Sequence, residues 1–172
     1  MSRCIYVIDA SYLVEYYKVG KHWSKKNFEE ISKRIEEAVI TDCDLYVPIP
    51  VIYETANHIA GVKDGNHRRK IAKLFCDNIQ TSCTDDSPFF IIPYKEFESI
   101  QILTANLLAF SEENIQRKIS LTDTTVIHFA NKLKQECRIS LPVHIWTMDE
   151  EMKSQEPDKE ENSFIGVKKK LL

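Results

Sequence analysis

Two apolar runs in this chain stop abruptly at an aspartate. Arg3-Cys4-Ile5-Tyr6-Val7-Ile8 ends at Asp9-Ala10-Ser11, and Val143-His144-Ile145-Trp146-Thr147 ends at Met148-Asp149. Both runs are rich in β-branched and aromatic residues and show little polar alternation. Such runs read as strands buried on both faces, the pattern of a parallel sheet. Leu45-Tyr46-Val47, ended by Pro48, and Phe89-Phe90-Ile91-Ile92, closed by Pro93, are two further strands of this kind. Phe164-Ile165-Gly166-Val167 reads as a fifth, at an edge.

The segments between the strands carry helical spacing. Tyr12, Leu13, Tyr16 and Tyr17 define a helix ending at Gly20. Asn27 with Glu30 three residues on has capping-box spacing, and Phe28, Ile31, Ile35, Ala38 and Val39 give the helix that follows an apolar stripe. Pro50 suits the first turn of a helix stopped by Gly61. A helix from about Asn66 to Ile79 points Ile71, Leu74 and Phe75 inward. The next, from Lys95 to about Phe110, puts Ile100, Leu103, Leu107 and Leu108 on one face, and another starts near Thr122 and runs to about Gln135. Strands separated by helices imply crossover connections and a covered parallel sheet. The expected fold class is therefore α/β, a three-layer α/β/α sandwich on a central parallel sheet of four or five strands. The 172 residues show no internal repeat and no linker, so a single domain over 1–172 is expected.

Charge and cysteine content narrow the function classes. The net charge of −3 conceals an acidic segment, Asp149 to Glu161, with seven acids against Lys153 and Lys159, while the rest of the chain is weakly basic. Such a local concentration of acid suits a metal site better than a purely electrostatic nucleic-acid binder. No apolar run approaches the roughly 20 residues of a spanning helix, and Met1-Ser2-Arg3-Cys4 does not open a secretory signal. Five cysteines without a C-x-x-C pair argue against a zinc knuckle or a disulfide framework. They read as small buried hydrophobes in a reducing, cytoplasmic setting.

In an open α/β sheet, ligands bind beyond the carboxyl ends of the strands, where the strand order reverses. Asp9 and Asp149 occupy such ends. Two more acids sit on helices: Glu54 in Pro50-Val51-Ile52-Tyr53-Glu54-Thr55, at the border of the apolar face, and Asp123 in Ser120-Leu121-Thr122-Asp123-Thr124. Val126, Ile127 and Ala130 follow Asp123 at i+3, i+4 and i+7, which directs its carboxylate toward the core side. Thr122 is available as the helix cap and would leave Asp123 for other work. Converging carboxylates repel one another and take up protons unless a cation offsets them. Magnesium and manganese favour such oxygen ligands, and a pair of them clamps a phosphodiester and activates water for in-line attack.

On these residues the chain resembles the PIN domain, the metal-dependent ribonuclease fold of VapC-type toxins. Asp9-Ala10-Ser11 resembles the family's first D-x-[S/T/N] motif. Glu54 resembles its helix acid, Asp123 its helix-opening acid, and Thr147-Met148-Asp149 its T-x-D at the end of strand four. The four acids follow in family order, 45, 69 and 26 residues apart. The resemblance implies strand order 3-2-1-4-5, with strands one and four adjacent. It also implies Asp9, Glu54, Asp123 and Asp149 as metal ligands and catalytic residues, with Ser11 and Thr147 orienting carboxylates or a metal water. The implied activity is a Mg²⁺- or Mn²⁺-dependent endoribonuclease acting on RNA, with an inhibitory antitoxin and a homodimer as partners by analogy. A PIN-like interaction module without catalysis is the alternative. Phosphate-binding candidates are Arg117 and Lys118, just before Asp123, and Arg68 and Arg69. H-E-x-x-H and glycine-rich phosphate loops are absent. A receiver-like phosphoacceptor would need clustered acids after strand one, where Asp9 stands alone.

Overall fold

The computed structural model describes residues 3–21, 23–82, 89–92, 100–136 and 141–166, with the side chains of 90–92 and 100 left aside. The fold is α/β, with helices around a small, open, all-parallel sheet. Its strands are β1 (Ile5–Ile8), β2 (Asp44–Pro48), β3 (Phe89–Ile92) and β4 (Val143–Trp146), in the order β3-β2-β1-β4. The described helices are α1 (Ala10–Tyr16), α2 (Lys25–Ile40), α3 (Ile49–Ala60), α4 (Gly65–Ser82), α5 (Ile100–Glu112), α6 (Leu121–Glu136) and the short α7 (Glu150–Lys153). Successive connections leave β1 in opposite directions, so the order reverses between β1 and β4. Ile5 pairs with Val143 and Ile8 with Trp146, which brings Asp9 and the Thr147–Asp149 turn out of the sheet side by side.

The apolar strands are as buried as their composition requires. Every residue of β1 and β4 is buried, Val7, Val143 and Ile145 completely. Trp146 stacks on Tyr6, with ring centroids 4.0 Å apart, and on Tyr12 from α1. Tyr12 and Tyr17 belong to this core. α1 stops at Tyr16, earlier than the spacing suggests, and the chain turns through left-handed conformations at Lys18 and Gly20.

Several expectations about caps and faces are corrected. Ser24, three residues before Asn27, caps α2, and its hydroxyl accepts the Asn27 amide N–H. The Asn27 side chain instead donates to Glu15, a buried acid that also accepts the Ser24 N–H. Ile31, Ile35 and Ala38 face inward, but Val39 is half exposed, as are Leu74 on α4 and Leu103, Leu107 and Leu108 on α5. The sequence places these last five on apolar faces, but among the described residues no element covers them.

The fifth strand does not form over Phe164–Gly166, and Val167 lies outside the described residues. The reason lies on the outer edge of β4. Lone strand edges expose unpaired backbone groups, yet all four outward groups of Val143 and Ile145 are already taken. Val143 N–H donates to Asp158 Oδ2, and its carbonyl accepts the Asp158 N–H. Ile145 N–H donates to Glu156 Oε2, and its carbonyl accepts Lys153 Nζ. Lys153 Nζ also lies 2.6 Å from both Glu156 and Glu160, and Glu160 accepts the Trp146 indole N–H. Burial alone would raise the Glu160 carboxyl, but the Lys153 charge and these donors outweigh it and hold the group below its usual range. Much of the acidic segment is thus a side-chain seal on the sheet edge. Arg34, buried on α2, secures the segment further along by donating to the Ser163 carbonyl.

Candidate active site

The site grows from the ends of β1 and β4. Asp9 leaves β1 with extended backbone and caps α1. Its N–H donates to the Trp146 carbonyl at 3.0 Å, which locks the two strand ends together. Its Oδ2 accepts three bonds: from Ser11 N–H at 3.2 Å, Ser11 Oγ at 2.6 Å and Thr147 Oγ1 at 3.0 Å. Ser11 Oγ in turn accepts the Met148 N–H, and Thr147 Oγ1 accepts the Asp149 N–H. Ser11 and Thr147 therefore orient the Asp9 carboxylate and tie it to the strand-four turn.

Asp9 is buried, and burial drives its carboxyl up. The negative charge of Asp123 adds to this, the three donors oppose it, and the outcome is a carboxyl pushed up to about 6. Asp123 is thus near enough to act on Asp9 through its charge. It stands in the first turn of α6, in a reciprocal capping box with Ser120. Asp123 Oδ2 accepts the Ser120 N–H at 2.9 Å, and Ser120 Oγ accepts the Asp123 N–H. Ser120, not Thr122, is the cap, so one Asp123 oxygen is already engaged. The S-x-x-D spacing was the signal for this pairing. Ser120→Ala should cost about 1 kcal/mol, read as a lower denaturation midpoint by urea titration.

Glu54 sits on α3, which packs against both α1 and α6. Among the described residues, its Oε2 is buried without a hydrogen-bond partner. A buried, unpartnered carboxylate oxygen is costly to maintain. Asp149 ends the β4 turn and caps α7, its Oδ1 accepting the Glu151 and Met152 N–H groups. The structure thus joins Asp9, Ser11, Thr147 and the Asp149 backbone in one network and sets Asp123 in electrostatic reach of Asp9. Glu54 stands on the adjoining helix, with no direct link to the other three acids among the described contacts.

Arg117 and Lys118 are exposed at the end of a 3-10 turn, Asn114–Arg117, that leads into the Ser120 cap. Arg68 and Arg69 are exposed on α4, where Arg68 spends one guanidinium N–H on the Val62 carbonyl at 2.7 Å. No described helix is long and apolar enough to cross a membrane. No protein-family model matches the chain, and no curated protein matches it.

The donor chemistry at the site fits a hard divalent cation. Every candidate ligand is a carboxylate oxygen. Asp9 holds its charge against burial and a like neighbour, and Glu54 offers a buried oxygen with no proton donor among the described residues. Among the described residues, however, no three His, Cys, Asp or Glu side chains are gathered closely enough to hold an ion as they stand.

Proposed function

We propose that the chain is a divalent-metal-dependent endoribonuclease of PIN type, built as a three-layer α/β/α sandwich. Asp9, Glu54, Asp123 and Asp149 would hold Mg²⁺ or Mn²⁺. The observation that carries this reading is the Asp9 carboxylate, buried at the strand-order reversal, raised by its own burial and by Asp123, and fixed by Ser11 and Thr147. An acid oriented so tightly, with no cationic partner among the described residues, is a poor structural element and a good ligand. When bound, the cation would neutralise these acids, activate water and stabilise charge developing on the phosphodiester.

The protein's own groups do the rest. Ser11 and Thr147 keep Asp9 Oδ2 occupied by donors, so Oδ1 is the oxygen presented to the site. The Ser120 box fixes the Asp123 carboxylate against the start of α6. Arg117 and Lys118, exposed just before it, supply cations for the RNA backbone. A toxin role under a protein inhibitor, in the cytoplasm, and as a homodimer, goes with this reading.

The test is cleavage of single-stranded RNA in Mn²⁺ by the wild-type chain and by Asp9→Asn. Cleavage should fall by at least about 100-fold in the variant, the scale on which losing a charge-stabilising group acts. Full activity in the variant rejects the assignment. One observation favours the second reading, an interaction module without catalysis: Asp123 and Asp149 each commit an oxygen to capping a helix. Titration calorimetry with Mn²⁺ separates the two, because only the nuclease requires uptake that depends on Asp9 and Glu54.

A further inference from the structure

At the opposite end of the sheet from Asp9, two cysteines stand side by side. The register pairs Ile5 of β1 with Asp44 of β2, so the preceding residues, Cys4 and Cys43, are neighbours where both chains enter the sheet. Neighbouring strands lie about 4.8 Å apart, inside the roughly 4.4–6.8 Å Cα range that a disulfide spans. Backbone bonds hold both residues in place: Asp44 N–H donates to the Cys4 carbonyl, and Cys43 N–H to the Ala38 carbonyl. Both are buried free thiols, and their sulfurs are in direct contact at 2.7 Å. Both line a cavity of about 460 Å³, walled also by α2 and the 158–162 segment.

From this geometry we infer that Cys4 and Cys43 are a peroxide-responsive dithiol site that closes to a disulfide, stapling the start of β1 to the start of β2. The inference is independent of the nuclease reading. Burial, then the contact with Cys43, pushes the Cys4 thiol up. Cys43 Sγ lies 3.3 Å from Thr41 Oγ1, whose own proton goes to the Glu37 carbonyl at 2.8 Å, so the Cys43 S–H is the donor of that pair. In the first step Cys43 gives up its proton and its sulfur attacks a peroxide oxygen. The O–O bond breaks, hydroxide leaves, and Cys43 becomes a sulfenic acid. In the second step the Cys4 sulfur attacks the Cys43 sulfur. The S–S bond forms, the S–O bond breaks, and the departing oxygen leaves as water with the thiol proton. Two thiols lose two electrons in all, and hydrogen peroxide is reduced to two waters.

The test treats the reduced full-length chain with hydrogen peroxide, blocks remaining thiols, and maps non-reduced peptides by mass spectrometry. A Cys4–Cys43 linked peptide is expected as the main product, reversed by dithiothreitol. The oxidised chain should melt about 5–10 °C higher, because the cross-link closes a long loop. Cys4→Ser should leave a Cys43 sulfenic acid that dimedone traps, and Cys76→Ser should change nothing. The wild-type map alone decides the matter if a variant fails to fold. Absence of the linked peptide at a peroxide dose that fully oxidises the exposed Cys76 overturns the inference, as does Cys43 oxidised to sulfinic acid with Cys4 unmodified.

Discussion

Replacing Lys153 with Met will lower the thermal midpoint by roughly 10 °C at neutral pH, the largest stability loss expected from any single exposed-looking lysine in this chain. Lys153 lies in the acidic segment whose concentration of charge reads as suiting a metal site, but its side chain is mostly buried, and its ammonium meets three acceptors: Glu156, Glu160 and the Ile145 carbonyl. Both carboxylates are themselves buried. Removing the cation leaves two like charges without compensation and one edge carbonyl without a donor. Breaking a buried ion pair from one side costs about 3–5 kcal/mol, which in a chain of this size corresponds to several degrees per kilocalorie at the low end.

The pH profile distinguishes this from a packing defect. In the wild-type chain the lowered Glu160 carboxyl contributes stability above the unfolded carboxylate range, and that contribution is lost as pH falls through its folded value. In the variant that contribution is absent, so the gap between the two proteins should narrow steadily in acid. A constant gap from pH 4 to pH 8, or a loss under about 2 °C at neutral pH, would show that the edge of β4 does not depend on this ion cluster.

The same cluster explains where sequence reading succeeded and failed. β1 and β4 were legible because strands buried on both faces need near-continuous apolar runs, and few other structures do. Phe164-Ile165-Gly166 has the composition of a strand but finds no edge to join, because Lys153, Glu156 and Asp158 have already satisfied Val143 and Ile145. The acidic segment was legible as a concentration of charge, but its net of −5 does not say whether a cation arrives from solution or from Lys153 and Lys134. Asp9 was legible because it stands immediately after a strand, whereas Ser11 and Thr147 came only with the resemblance to the PIN motifs; the parallel pairing of β1 with β4 carries all three to the same place. Asp123 was half legible: helical spacing set it on the side of Val126 and Ala130, but its bond to Ser120 required the cap to lie two residues before Thr122. Cys4 and Cys43 carried no signal at all, since their meeting depends on strand register and not on any local spacing.

Without divalent cation at pH 7.5, Asp9→Asn will be more stable than the wild-type chain, an unusual direction for a substitution at a buried, triply hydrogen-bonded position. The asparagine carbonyl takes over the bonds from Ser11 and Thr147, and a neutral amide replaces the charge that burial and Asp123 oppose. The sign follows from proton linkage. A carboxyl at about 6 in the fold and roughly 3.9 when unfolded binds its proton more tightly in the native state. The wild-type chain therefore loses stability as pH rises between those values, by about 3 kcal/mol in total, and the loss persists above the upper one. The variant escapes it, so the two proteins should unfold together near pH 3.5 and diverge until about pH 6.5, the variant then melting about 5–10 °C higher. Adding Mn²⁺ should reverse the ranking. Only the wild-type chain gains by mass action, by about 2.7 kcal/mol at a hundredfold excess over the dissociation constant, and its apparent affinity should weaken below pH 6 as protons compete for Asp9. Thermal melts across pH, with and without Mn²⁺, contain both halves of the argument. If the variant is less stable than wild type at pH 7.5 in the metal-free buffer, the fold already balances the Asp9 charge, and the need for a cation disappears with it.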